Sequence, residues 1–183
     1  MWLTTSGSRS AYWLAMKLLL WVLPALLLIR LSGKSVGEVM GFHRARAIAV
    51  WGGGVGLVLG ITALAAKTLG SQPLFPPSLS WSLFSGVLVA PIVEELTFRG
   101  ALLGPLCGRF GFWTANTITG LLFLGIHLPG WHFQGRLAEN LTNPVGGALS
   151  VFLLGLLFGY VAHKSRSVAA GTLTHILNNL FSA

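Results

Sequence analysis

The chain has 183 residues, 54% of them hydrophobic and only 9% charged, with 12 Lys and Arg against four acidic side chains, all of them Glu. Soluble domains carry about one quarter charged residues and disordered chains need low hydrophobicity with high charge, so both classes are excluded and a bilayer is the expected solvent. The net charge of +8 does not describe a nucleic-acid surface, because the basic residues are dispersed among apolar runs with no interleaved aromatic stripe.

About six apolar segments follow one another, which predicts an all-α, polytopic transmembrane bundle in one domain, 1–183. The first runs from about residue 11 to 31 and is interrupted by Lys17 and Pro24; without a small-residue cleavage site it reads as an anchor rather than a removed signal peptide. A polar stretch, 32–46, precedes the second segment, 47–69. There Gly52, Gly56 and Gly60 form a small-xxx-small row that lets another helix approach closely. These two helices and their connections make up 1–80. After a Pro-rich turn, 71–78, the motif-bearing core spans 81–183, with segments at about 80–106, 110–128, 147–162 and 168–183. The last two are short for a hydrocarbon core of about 30 Å at about 1.5 Å per residue.

Arg30, Lys34, Arg44 and Arg46 crowd the first connection, Arg109 sits in the third, and Lys164 with Arg166 in the fifth. These connections are expected on one side, opposite Arg9, Lys17, Lys67 and Arg136, with both termini outside. His43, His132 and His163, like Trp81, Trp113 and Trp131, read as interfacial anchors. Cys107, the single cysteine, excludes an intrachain disulfide and a Cys-rich zinc site. Beside Gly108 it reads as a small packing residue rather than the nucleophile of a cysteine transpeptidase.

Ionisable groups inside apolar segments are costly and mark function by default. Three segments carry them: Glu94, Glu95 and Arg99 in the third, His127 in the fourth, and His175 with Asn178 and Asn179 in the sixth. Glu95 and Arg99 stand at i and i+4, so they share a helix face and can pair. Glu94 is turned away from that pair by about 100°, which leaves a desolvated carboxylate without a local counter-ion, a candidate general base. His175 and Asn179 lie one turn apart on one face, and Phe123, one turn before His127, can support its ring. A Glu and a His holding a water, facing a second His and an Asn that receive an oxyanion, make a hydrolase constellation. The same Glu94, His127 and His175 could instead ligate zinc. The chain has no Asp pair, no His-Glu-x-x-His and no Gly-x-Ser-x-Gly.

The stretches Glu94-Glu95-Leu-Thr-Phe-Arg99, Phe123-Leu-Gly-Ile-His127 and His175-Ile-Leu-Asn-Asn179 match Glu-Glu-xxx-Arg, Phe-xxx-His and His-xxx-Asn. The chain thereby resembles the CAAX protease and bacteriocin-processing (Abi) family of intramembrane endopeptidases, in its small bacterial form. The resemblance implies that Glu94 and His127 activate the attacking water, that His175 and Asn179 stabilise the oxyanion, and that Glu95 and Arg99 brace the site. A metal-free glutamate mechanism is expected ahead of a zinc one. The expected partners are the lipid bilayer and a membrane protein or peptide substrate in a bacterial inner (plasma) membrane, with no nucleic acid. The small number of segments argues against prenylated substrates, and the His127-Leu-Pro-Gly-Trp131 exit resembles members that process a carboxy-terminal sorting tail. The rival reading is a non-catalytic membrane scaffold or bacteriocin-immunity partner.

Overall fold

Two helices run through three prolines without ending. In the computed structural model, which describes residues 15–74, 76 and 78–183, helix α1 covers 15–31 and α4 covers 81–110. Pro24, Pro91 and Pro105 each follow a π-helical stretch: Leu18–Val22, Ser85–Val89 and Leu96–Leu103 respectively. A proline has no N–H to return to the preceding turn, and the wider π turn just ahead of it absorbs the lost bond. This is why α4 continues to Phe110, beyond the expected segment end at about 106, and stops only at Gly111, whose φ of 75° leaves the helical region. The beginning of the first apolar segment, 11–14, and Arg9 lie outside the described residues.

The remaining elements are α2 (Val36–Met40), α3 (Ala45–Leu69), α5 (Phe112–Gly125), α6 (His127–Phe133), α7 (Leu137–Thr142), α8 (Ala148–Ser165) and α9 (Val168–Ser182). The fold is all-α, with no strand among the described residues. Of the helices, α3 and α8 are each long and apolar enough on their own to cross a membrane. The connection between the fourth and fifth segments is itself helical, containing α6 and α7. Short α2 is fixed by a capping box: Ser35 N–H and Oγ–H both donate to Glu38 Oε2 at 2.7 Å, and Glu38 N–H donates to Ser35 Oγ at 3.2 Å.

Packing follows the small residues. Built onto Gly52, a Cβ would lie 2.7 Å from the Ala170 carbonyl oxygen, and those on Gly56 and Gly60 would strike Leu177 and Phe181. The glycine row of α3 is therefore the groove that receives α9, and Thr174 Oγ1 donates across it to the Gly52 carbonyl at 3.1 Å. In the same way Gly120 and Gly155 bring α5 and α8 together, with Asn116 Nδ2 donating to the Leu156 carbonyl at 2.9 Å. Burial is inverted relative to a soluble protein. Glu95, Arg99, Asn116 and His175 are buried, whereas Leu20, Leu57, Val58, Ile61, Leu121 and Leu153 face outward. An outer surface this apolar is stable against lipid, not water.

Candidate active site

α4 presents the acidic pair on two different faces, as the helix period requires. Glu95 is fully buried; its Oε1 accepts from Arg99 Nη1 at 3.0 Å and lies 3.1 Å from His175 Nδ1, while Oε2 has no hydrogen-bond partner among the described residues. Arg99 also donates from Nη2 to the Gly155 carbonyl on α8 at 2.5 Å, and its guanidinium lies 4.8 Å from the centroid of the Phe123 ring. Two hydrogen bonds, the Glu95 charge and the aromatic face thus engage a cation that no water reaches, with Nε left without a hydrogen-bond partner among the described residues. The pair expected from i, i+4 spacing is present, and it ties α4 to α8 and α9.

Glu94 has a different environment. Its side chain is 18% exposed, makes no hydrogen bond among the described residues, and places Oε2 4.0 Å from His175 Nε2. It lines a cavity of about 250 Å³ together with Lys17, Trp21, Ala90, Val93 and Ile126. His175, His127 and Lys17 all lie within electrostatic reach of it. The unengaged carboxylate at the cavity wall is the one that helix phase assigned as base.

The two histidines are held by different devices. His127 Nδ1 lies 2.8 Å from the Phe123 carbonyl on α5. A carbonyl oxygen only accepts, so Nδ1 carries the proton and Nε2 of the neutral ring keeps its lone pair. His175 sits between the carboxylates, with Nδ1 toward Glu95 and Nε2 toward Glu94, and stacks on Phe158 with ring centroids 4.4 Å apart. Phe123 joins the two: its ring centroid is 5.0 Å from that of His127 and 5.7 Å from that of His175. The three segments therefore bring Glu94, Glu95, Arg99, Phe123, His127 and His175 into one cluster.

Asn179 is placed apart from the Glu94 cavity. Its Nδ2 donates to the Gly86 carbonyl at 2.9 Å and its Oδ1 accepts from Asn178 Nδ2 at 3.1 Å, beside a second cavity lined by Pro76, Ser80, Gly86 and Ser182. Among the described residues no three His, Cys, Asp or Glu side chains converge closely enough to hold a metal ion. His175 Nδ1 faces Glu95 and its Nε2 lies 4.0 Å from Glu94 Oε2, modestly wider than the separation of about 3.3 Å between two donors on one tetrahedral zinc.

Sequence reasoning missed two neighbours. Lys17, read as a topology signal, lines the Glu94 cavity. Trp131, read as an interfacial anchor, has its ring 5.9 Å from His127. A basic residue in an apolar run was the available signal for Lys17; for Trp131 it was the one-turn spacing from His127.

Compared with known proteins, residues 76–181, more than half the chain, match the family model described as Type II CAAX prenyl endopeptidase Rce1-like. Neither curated proteins nor solved structures give a match.

Proposed function

The chain belongs to the type II CAAX prenyl endopeptidase Rce1-like family, a family of membrane proteases, and on that premise we propose that it is an intramembrane endopeptidase in which Glu94 and His127 activate the attacking water. One observation carries the reading: of two adjacent glutamates, Glu95 is engaged by Arg99 and His175, while Glu94 stands unbonded at a cavity wall within reach of both histidines.

The chemistry runs as follows. Water between Glu94 and His127 Nε2 loses a proton to the carboxylate as its oxygen attacks the scissile carbonyl carbon. The carbonyl oxygen becomes an oxyanion, which His175, when doubly protonated, receives from Nε2 and which Asn179 receives from Nδ2 after release from Gly86. The C–N bond breaks as Glu94 returns the proton to the leaving amine. Glu95 and Arg99 do not touch the reacting atoms; they fix the ring of His175 and the pitch of α4. No step as written uses a metal; the zinc alternative would take Glu94, His127 and His175 as its ligands.

The substrate is a membrane-anchored protein or peptide, cut near a carboxy-terminal sorting tail, in the plasma membrane of a bacterium; about six membrane segments carry the site. The test is a cleavage assay with purified protein in lipid nanodiscs, offering a transmembrane-tail peptide and a prenylated peptide of equal length. Cleavage of the tail peptide by wild type and not by Glu94→Gln supports the reading. Cleavage of neither peptide, with an intact site, favours a scaffold, and cleavage of the prenylated peptide alone overturns the substrate assignment.

A further inference from the structure

The polar residues of the site come from the third, fourth and sixth segments, yet the fifth, α8, stands directly behind it. Phe158 of α8 is 1% exposed, and its ring stacks on that of His175 with 4.4 Å between centroids and 19° between planes. Three residues earlier on the same helix, the Gly155 carbonyl accepts from Arg99 Nη2. The close approach of α9 to α8 depends on Gly171, one turn before His175. A Cβ there would lie 3.2 Å from both the Phe158 carbonyl oxygen and Glu95 Oε2.

Two kinds of restraint act on the His175 ring, and neither suffices alone. At its edge, Nδ1 meets Glu95 Oε1 at 3.1 Å, whereas Nε2 is 4.0 Å from Glu94 Oε2, beyond hydrogen-bond distance. A hydrogen bond at one ring atom leaves the ring free to rock about that contact, and rocking carries Nε2 with it. On its faces, Phe158 lies stacked and Phe123 meets the ring at 72° with centroids 5.7 Å apart. Phe123 and Phe158 stand perpendicular to each other, at 90° and 6.3 Å, and both are buried. Close-packed aromatic neighbours thus hold the plane that the hydrogen bond leaves open.

We infer that Phe158 is a positioning residue for peptide hydrolysis: it fixes the plane of the His175 imidazole so that Nε2 faces the oxyanion. The inference rests on the proteolytic reading, in which His175 receives that charge. Phe158 is too deeply buried to touch substrate, so it acts only through His175. Loss of an interaction made in the transition state alone lowers kcat and leaves KM unchanged. Misplacement of a reacting group by about 1 Å costs about 10²-fold in rate.

The experiment measures kcat and KM per folded molecule for the transmembrane-tail peptide, and the His175 ring-proton signals by NMR of the full chain isotope-labelled at histidine. His175→Gln identifies those signals by their absence. A ring stacked on a benzene face is shifted upfield by its ring current, and the shift goes when the face goes. The variants are Phe158→Met, which keeps the bulk of the side chain without its plane, and Phe158→Leu. Val161→Ala, a truncation of another buried side chain on α8, is the control for lost packing. The expected result is upfield His175 signals in wild type that move downfield in both Phe158 variants, with kcat reduced about 10²-fold and KM unchanged. Unshifted His175 signals in wild type overturn the proposal. So do an unchanged kcat in the Phe158 variants, a rise in KM without loss of kcat, or a loss of kcat that Val161→Ala matches at an equal drop in melting temperature. Absence of cleavage by wild type refutes the proteolytic reading instead, and the ring signals then still decide whether Phe158 orients His175.

Discussion

Replacing each of the adjacent glutamates by Gln separates brace from base. In Glu95→Gln the amide oxygen can still accept from Arg99, and Arg99 keeps the Gly155 carbonyl and the Phe123 ring; what disappears is the charge opposite a guanidinium that is 0% exposed. Breaking a buried pair in this way costs about 3–5 kcal/mol. The retained cation–π contact, worth about 0.5–2 kcal/mol, holds the loss near about 3 kcal/mol. In a chain of this size that lowers the melting temperature by about 6–12 °C. Glu94→Gln removes only a partly exposed, unbonded carboxylate 4.0 Å from His175, so its stability should change by about 1 kcal/mol or less. Its cleavage rate should fall about 10²–10⁴-fold with the general base. Thermal unfolding followed by tryptophan fluorescence, and peptide cleavage normalised to folded protein, read both quantities. A Glu95→Gln protein as stable as wild type but inactive, alongside a Glu94→Gln protein that still cuts, would reverse the two roles.

The other predictions concern packing, metal and pH. Gly52→Ala drives a methyl group to 2.7 Å from the backbone oxygen of Ala170, which cannot yield, and should destabilise by about 1–3 kcal/mol; Gly56→Ala meets only the Leu177 side chain and should cost less in the same unfolding assay. Proteolysis should survive exhaustive chelation, and loss on chelation with recovery on adding zinc would favour the metal reading. The Glu38 carboxyl lies below its ordinary range because the Ser35 backbone N–H and then its hydroxyl donate to it. A depressed folded pKa gives α2 stability that is present above the unfolded value and lost as pH falls through the folded one. Ser35→Ala removes one donor and should raise the Glu38 pKa in an NMR titration; an identical pKa in both proteins would refute this account of the cap.

What the sequence made legible was local. The Glu95–Arg99 pair, the turning away of Glu94 and the support of His127 by Phe123 all follow from helix period, and the close approach at Gly52, Gly56 and Gly60 from side-chain size. The rest depends on neighbours that periodicity cannot identify. Asn179 and His175 share a face of α9, yet Asn179 is drawn to a backbone carbonyl of α4 that only the folded packing brings near. Lys17 joins the Glu94 cavity because α1 lies alongside α4. The helical character of 127–142 is hidden because short helices between polar turns carry little apolar pattern, and the continuation of α4 through Pro105 is hidden because a π turn leaves no mark in hydropathy.

The most direct test of Glu94-dependent peptide hydrolysis is a comparison of carboxy-terminal peptides from membranes containing wild-type or Glu94→Gln protein, prepared in water enriched in oxygen-18. Hydrolysis by activated water predicts at least one new carboxy terminus, present only with wild type and carrying one solvent oxygen. Identical termini in the two membranes, with both proteins folded and equally abundant, would contradict it.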